Sequence, residues 1–255
     1  MELQTLFSLI VAFFVGGASA YLGSLMLTKR MALVGDALGH VALPGMGLAL
    51  LFNINVFWGA LIFLLLGIFL IWLIEMRTAL PLETLVGIIF VVSLAIGFLI
   101  IPEPELIESL IGDISKVKIL DVFLAISLSL IALYFIQKIY PNLLLANISK
   151  DLARSQNISI EKTNLIYLLT IAAIVATGIK IAGSLLIGTL LIVPAATAKN
   201  LAQSFKGYMK LSAFFGILGS FLGIIFSSLF NINPGPLIVL ISSLFFLFSL
   251  FKKRI

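Results

Sequence analysis

Apolar residues run along this chain in long blocks that neither alternate like strands nor break into the short periods of soluble helices. A bilayer-spanning helix needs about 20 mostly apolar residues. On that ruler the sequence predicts nine spans, at roughly 6–27, 33–52, 56–74, 84–101, 119–138, 163–179, 181–198, 209–230 and 236–251. Two of these are weakly drawn. Lys180 leaves almost no loop between the sixth and seventh, and Gly39, Pro44 and Gly45 interrupt the second, so eight spans stands as the alternative. The first run, Leu6 to Leu27, has acidic Glu2 ahead of it and no basic leader, and further apolar runs follow, which reads as a spanning helix rather than a cleaved signal.

The polar positions between the blocks set an orientation. Cytoplasmic loops carry an excess of Lys and Arg. With the N-terminus outside and nine crossings, 13 basic residues fall inside, and only Lys116, Lys118 and Lys180 fall outside. The C-terminus, with Lys252, Lys253 and Arg254, is then cytoplasmic. The outer loops hold Asn53 to Asn55, the acidic stretch Pro102 to Glu108, and Asn231 to Pro236. The longest inner loop, about Ile139 to Lys162, is the one polar segment large enough to hold a soluble partner, and its mixed charge suits a short surface helix. No linker divides the chain, so residues 1–255 read as one all-α, polytopic membrane domain. Its helices would pack through small residues such as the pairs Gly35/Gly39 and Gly219/Gly223.

Composition agrees with lipid as the solvent. Of 255 residues, 62% are hydrophobic and 11% charged, a balance with which a soluble domain of this size could not cover its surface. A net charge of +5 then reports topology rather than nucleic-acid binding. Cysteine is absent, which removes disulfides and thiolate metal sites. There is no G-x-x-x-x-G-K-[ST] loop, so this chain does not hydrolyse ATP by that route. With no H-E-x-x-H and no G-x-S-x-G, it is not read as an enzyme of any kind.

One constellation stands out within the apolar runs. Asp36 lies inside the second block, and His40, the single histidine, follows one helical turn later on the same face. A charged residue at mid-bilayer costs about 2.5–3.5 kcal/mol on insertion scales, and such groups mostly face a cavity or a partner. Pro44 sharpens the picture: its missing N–H would have bonded the carbonyl of His40, so the kink falls on the turn that holds the pair, with Gly45 beside it allowing close approach. Broken helices at ion sites recur in transporters. Two readings compete here, a chelating pair and a pair that only stabilises the bundle through hydrogen bonds. Two ligands are too few for a closed metal site. A two-fold homodimer would bring two Asp and two His together, a set suited to Zn²⁺, Mn²⁺ or Fe²⁺. Elsewhere, Pro194 reads equally as a kink or as a helix boundary, and Glu83 and Asp121 read as solvated or capping residues at span ends.

Several segments together resemble one family. Gly35-Asp-Ala-Leu-Gly-His-Val-Ala-Leu-Pro-Gly45 is similar to the signature of the zinc/manganese/iron ABC-transporter permeases. Thr84 to Phe90, Leu110 to Ile114, Gly183 to Ala198 and Asn233 to Val239 resemble that family in the same order, so the likeness covers nearly the whole chain. The resemblance implies a fold similar to vitamin B12-type importers. It also implies a homodimer of permeases, two cytoplasmic ATP-binding subunits, an extracytoplasmic metal-binding protein, and no permanently bound cofactor. On it, Asp36 and His40 match the metal-coordinating positions. Ser149, Lys150, Asp151, Leu152, Ala153 and Arg154 stand where the coupling helix docks on the ATPase. The expected function is ATP-driven import of a divalent metal across the plasma membrane. The alternatives are a gradient-driven cation transporter or channel, and a non-transporting scaffold.

Overall fold

The computed structural model describes residues 2–101 and 117–251. The acidic stretch from Pro102, the 110–114 segment, Lys116 and the basic tail from Lys252 lie outside the described residues. Within them the chain is helical, without a strand. The elements are α1 (Glu2–Thr28), α2 (Val34–Val41), α3 (Leu43–Leu51), α4 (Val56–Glu75), α5 (Leu82–Ile100), α6 (Ile119–Ile148), α7 (Lys150–Ser155), α8 (Ile160–Leu201), α9 (Phe205–Phe230) and α10 (Pro234–Ser249). Seven stretches are long and apolar enough to cross a bilayer, counting α2 and α3 together, and two shorter apolar helices, Ile187–Leu201 and Pro234–Ser249, accompany them. Together they match the nine apolar segments read from the sequence.

The helix ends follow local chemistry. Asn55, Ser149, Ser159 and Ser204 each accept a backbone N–H at the start of α4, α7, α8 and α9. Asn231 closes α9 in the left-handed conformation, and Pro234 opens α10 in its first turn. Asp121 accepts the amide of Lys118 at 2.8 Å, a capping role as expected. Several hydroxyls in the apolar helices bond back to their own helix, as Thr28 does to Ser24 O, Thr170 to Ile166 O and Thr197 to Val193 O, whereas Ser212 of α9 donates to the Ala20 carbonyl of α1 and the Ser19, Ser129, Ser184 and Ser242 hydroxyls are buried without a partner.

α1 and α8 form the centre. α1 packs on α6, α8 and α9, and Leu22, Leu25, Met26 and Tyr167 are fully buried. The outward faces of α4, α5, α6 and α10 are apolar, with Phe69, Leu99, Phe123 and Leu240 all exposed. Such a surface is stable only in hydrocarbon.

Two sequence expectations are corrected. The inner loop at 139–162 is largely helix: α6 continues through Pro141 to Ile148, because Ile139 and Leu143 are buried and Tyr140 stacks on Phe205 at 6.3 Å. Pro194 neither ends nor breaks α8. The non-helical residue there is Gly183, at φ 73°, ψ 170°. At that residue the chain reverses. Gly178 packs against the side chain of Ile187, which a straight helix would hold about 13 Å further along its axis. The halves 160–182 and 184–201 are therefore an antiparallel pair, and the ambiguous sixth and seventh spans are two.

Candidate functional site

The site forms where two interrupted helices meet. α2 stops at Val41 and α3 begins at Leu43 with Pro44 in its first turn. The His40 carbonyl, denied an amide by Pro44, is met by the N–H of Ala42. Gly45 just beyond lies against the Gly59 backbone of α4, and Gly47 against Ile101. On the other side, α2 runs along the second half of α8: Gly35 faces Leu191 and Gly39 faces the Ser184 carbonyl, one residue past the Gly183 reversal. The Gly219/Gly223 pair likewise seats α9 on Ser242 and Ile238 of α10.

Asp36 and His40 sit in this crossing. Asp36 is half-buried and His40 is 8% exposed. Asp36 lies directly on Gly188, where a methyl group would come within 2.8 Å of its Cβ and 2.9 Å of its Oδ1. His40 Nδ1 is 3.2 Å from the backbone carbonyl of Asp36. A carbonyl only accepts, so Nδ1 carries the proton and the Nε2 lone pair is left free to act as a ligand. The edge of the ring meets Phe90 of α5, with centroids 5.4 Å apart. The imidazole is thus oriented by backbone and by an aromatic wall, while the neighbouring carboxylate stays uncommitted to it. Depth follows from the same packing. Gly35 touches Met26 and Leu191, and Leu191 also backs Gly23, so the first turn of α2 lies roughly 3–8 Å inside the end of α1 at 1.5 Å per residue.

Among the described residues, no group of three or more His, Asp or Glu side chains converges. Within those residues the pair offers an oxygen and a nitrogen. Glu83 is exposed at the start of α5, apart from the pair.

The segment singled out at Ser149 to Arg154 is a short helix. Ser149 ends α6 and caps α7, accepting the Leu152 amide at 3.2 Å. Lys150, Asp151, Leu152 and Arg154 project outward, and Ala153 is fully buried.

Sequence reasoning missed a polar cluster beside it. Asn164 of α8, itself buried, accepts from Lys29 Nζ at 2.9 Å and donates to Glu75 Oε1 of α4 at 2.7 Å. Lys29 also lies 4.9 Å over the Tyr167 ring. Burial lowers the Lys29 amine to about 8, with Glu75 opposing that shift and Lys150 adding to it. In the sequence these charges read only as loop markers, since nothing local announces that residues 29, 75 and 164 meet.

An all-helical bundle with an apolar outer face, an intramembrane carboxylate and imidazole, and a short helix displayed at one end defines a membrane-embedded transport subunit. Residues 3–253 match the ABC 3 transport family, and the chain belongs to it. The chain is 33% identical over 248 residues to the manganese import system permease protein ScaB of Streptococcus parasanguinis, covering 96% of this chain and 89% of the relative. It is 35% identical over 240 residues to the high-affinity zinc uptake system membrane protein ZnuB of Buchnera aphidicola subsp. Baizongia pistaciae, covering 91% of each. Its fold superposes on a solved chain of PsaBC from Streptococcus pneumoniae in complex with Fab, with TM-score 0.83 and 30% identity over 97% of this chain and 91% of that one. The chain is a permease subunit of an ABC transporter and not itself an enzyme, ATP hydrolysis residing in a separate subunit.

Proposed function

We propose that this permease imports a divalent transition metal and that Asp36 and His40 hold the ion in transit. The observation that carries the reading is the free Nε2 of His40, oriented by the Asp36 carbonyl, one turn from a half-buried carboxylate in a broken membrane helix. Manganese and zinc, the ions named for the relatives, accept this oxygen and nitrogen pair, as Fe²⁺ does. Two ligands per chain favour a homodimer in which two α2 helices face one pore. A set shared between subunits is weak enough to release the ion, as transport requires.

α7, with Ser149 to Arg154, is the contact for the cytoplasmic ATP-binding subunit. An extracytoplasmic metal-binding protein delivers the ion from the other side. The N-terminus outside and the C-terminus inside is the orientation the basic residues favour.

The test is Mn²⁺ and Zn²⁺ uptake into vesicles holding the permease with its ATP-binding subunit. Asp36→Ala and His40→Ala should each lower uptake by at least the roughly 10–100-fold that even outer-shell partners of a metal command, with assembly intact. Undiminished uptake in both would overturn the assignment. Transport by the permease alone down a gradient would instead place it among secondary transporters.

A further inference from the structure

Two asparagines, Asn147 before the short helix α7 and Asn164 after it, reach the same turn of the chain. Asn147, two residues before the cap Ser149, donates its Nδ2 to the Thr28 carbonyl at 3.2 Å. Asn164, in the first turns of α8, accepts from the Nζ of Lys29. Thr28 is the last residue of α1 and Lys29 opens the turn that leads, seven residues on, to Asp36. The helix on the coupling side and the helix bearing the metal pair are therefore tied through one short turn.

The Asn164 tie is the stronger of the two. Asn164 is 8% exposed, while Asn147 is on the surface. Its amide also has a fixed sense, because only the oxygen can accept from an ammonium and only the nitrogen can donate to a carboxylate. Glu75 Oε1 takes that N–H, and its Oε2 is buried without a hydrogen-bond partner, so the carboxylate depends on Asn164. Glu75 ends α4, and the chain continues from it into α5, which carries Phe90 against His40. Asn164 thus holds both segments that frame the metal pair. Beside it opens a cavity of about 1140 Å³ lined in part by Lys29, Glu75, Lys150, Arg154 and Asn164, so that side chains of α7 and the cluster share one space.

We propose that Asn164, seconded by Asn147, is a positioning residue that transmits displacement of α7 to the Thr28–Lys29 turn, so that movement at the ATPase face repositions Asp36 and His40. This rests on the functional reading above. It adds to that reading the specific side chains through which the two ends of the permease communicate.

The native absence of cysteine allows a direct test. Spin labels on Ser155→Cys and Leu33→Cys, both exposed positions, report the distance from α7 to the start of α2 in the reconstituted importer, with and without trapped nucleotide. The distance should change on nucleotide binding in the otherwise unaltered protein, and that change should vanish in Asn164→Leu. In the same vesicles, Mn²⁺ imported per ATP hydrolysed should fall about tenfold while the ATPase rate stays within twofold. A preserved distance change with preserved stoichiometry overturns the proposal. So does a parallel fall of uptake and ATPase, which marks a merely structural residue. If Asn164→Leu does not assemble, Lys29→Met, which leaves the Asn164–Glu75 bond in place, is read by the same criteria. An unaltered complex without ATP-driven uptake removes the functional reading itself, and the linkage with it.

Discussion

The two interrupted helices come to rest side by side, yet they are broken by different means. Between α2 and α3 the cause is Pro44, which withholds an N–H from the His40 carbonyl, and the backbone around Ala42 stays close to helical, at φ −72°, ψ −23°. Within α8 the cause is Gly183, whose φ of 73° and ψ of 170° fall in a region essentially closed to residues with a Cβ. The first interruption bends a helix and leaves the His40 carbonyl to the Ala42 amide. The second turns the chain back on itself. The proline break is a local property, written in one residue, whereas the glycine break exists only because 160–182 and 184–201 pack against each other and against α1 and α2.

The largest effect should come from closing the second break. Gly183→Ala places a Cβ in that disfavoured region at about 1–3 kcal/mol, at the reversal on which Gly39 of α2 rests. The expected outcome is a lower thermal midpoint in detergent, a smaller yield of assembled permease and little uptake. Pro44→Ala, by contrast, restores an amide at a position already in the first turn of α3, where proline is tolerated, and should leave assembly intact. Equal losses of assembly in the two variants would mean that both breaks depend on tertiary packing.

A smaller and more local effect is expected at Gly188. Gly188→Ala brings a methyl group to 2.8 Å from the Asp36 Cβ and 2.9 Å from its Oδ1. The carboxylate has to rotate or α2 has to withdraw, and either shifts the Asp36 oxygens relative to His40 Nε2. Uptake should then show a raised KM for Mn²⁺ with assembly unchanged, whereas unchanged transport would show that Asp36 has space to spare.

These contrasts also explain what was legible in the sequence. Apart from the C-terminal end of α6, the apolar runs marked where each span lies, because bilayer thickness imposes length on each helix independently of its neighbours. The pair Asp36 and His40, with Pro44, was visible because carboxylate and imidazole are rare in such runs and because i and i+4 share a face. Gly183 was not. Its place was divided between Lys180 and Pro194, since a glycine is silent until tertiary packing demands a positive φ. The length of α6 was missed for a related reason, Tyr140 and Leu143 being held by partners remote in sequence. Gly188 carries no signal of its own, and the link among Lys29, Glu75 and Asn164 joins residues that look alone like ordinary loop and helix-end polars.

Lys29 offers the finest division between the two ends of the molecule, because its titration should move stability and coupling in opposite directions. Its neighbours are Asn164 and the Tyr167 ring of α8, Glu75 of α4 and Lys150 of α7, with Glu161 acting on Glu75. Burial brings its amine from 10.5 down to about 8. Below pH 8 native and opened chains both hold the proton. Between about 8 and 10.5 the opened chain holds a proton that the native one has shed, so the native state gains stability as pH rises through that window. The hydrogen bond to Asn164 changes the other way, since an ammonium donates more strongly than a neutral amine. Between pH 7 and 9 the thermal midpoint of the solubilised permease should therefore rise while Mn²⁺ imported per ATP falls. Lys29→Arg, which stays charged throughout, should flatten both slopes, and Lys29→Met should flatten the first while holding the second at its low, alkaline value. A stability slope that persists in Lys29→Met would assign the titration to another group, and coupling that ignores Lys29 altogether would separate the Lys29, Glu75 and Asn164 cluster from α2.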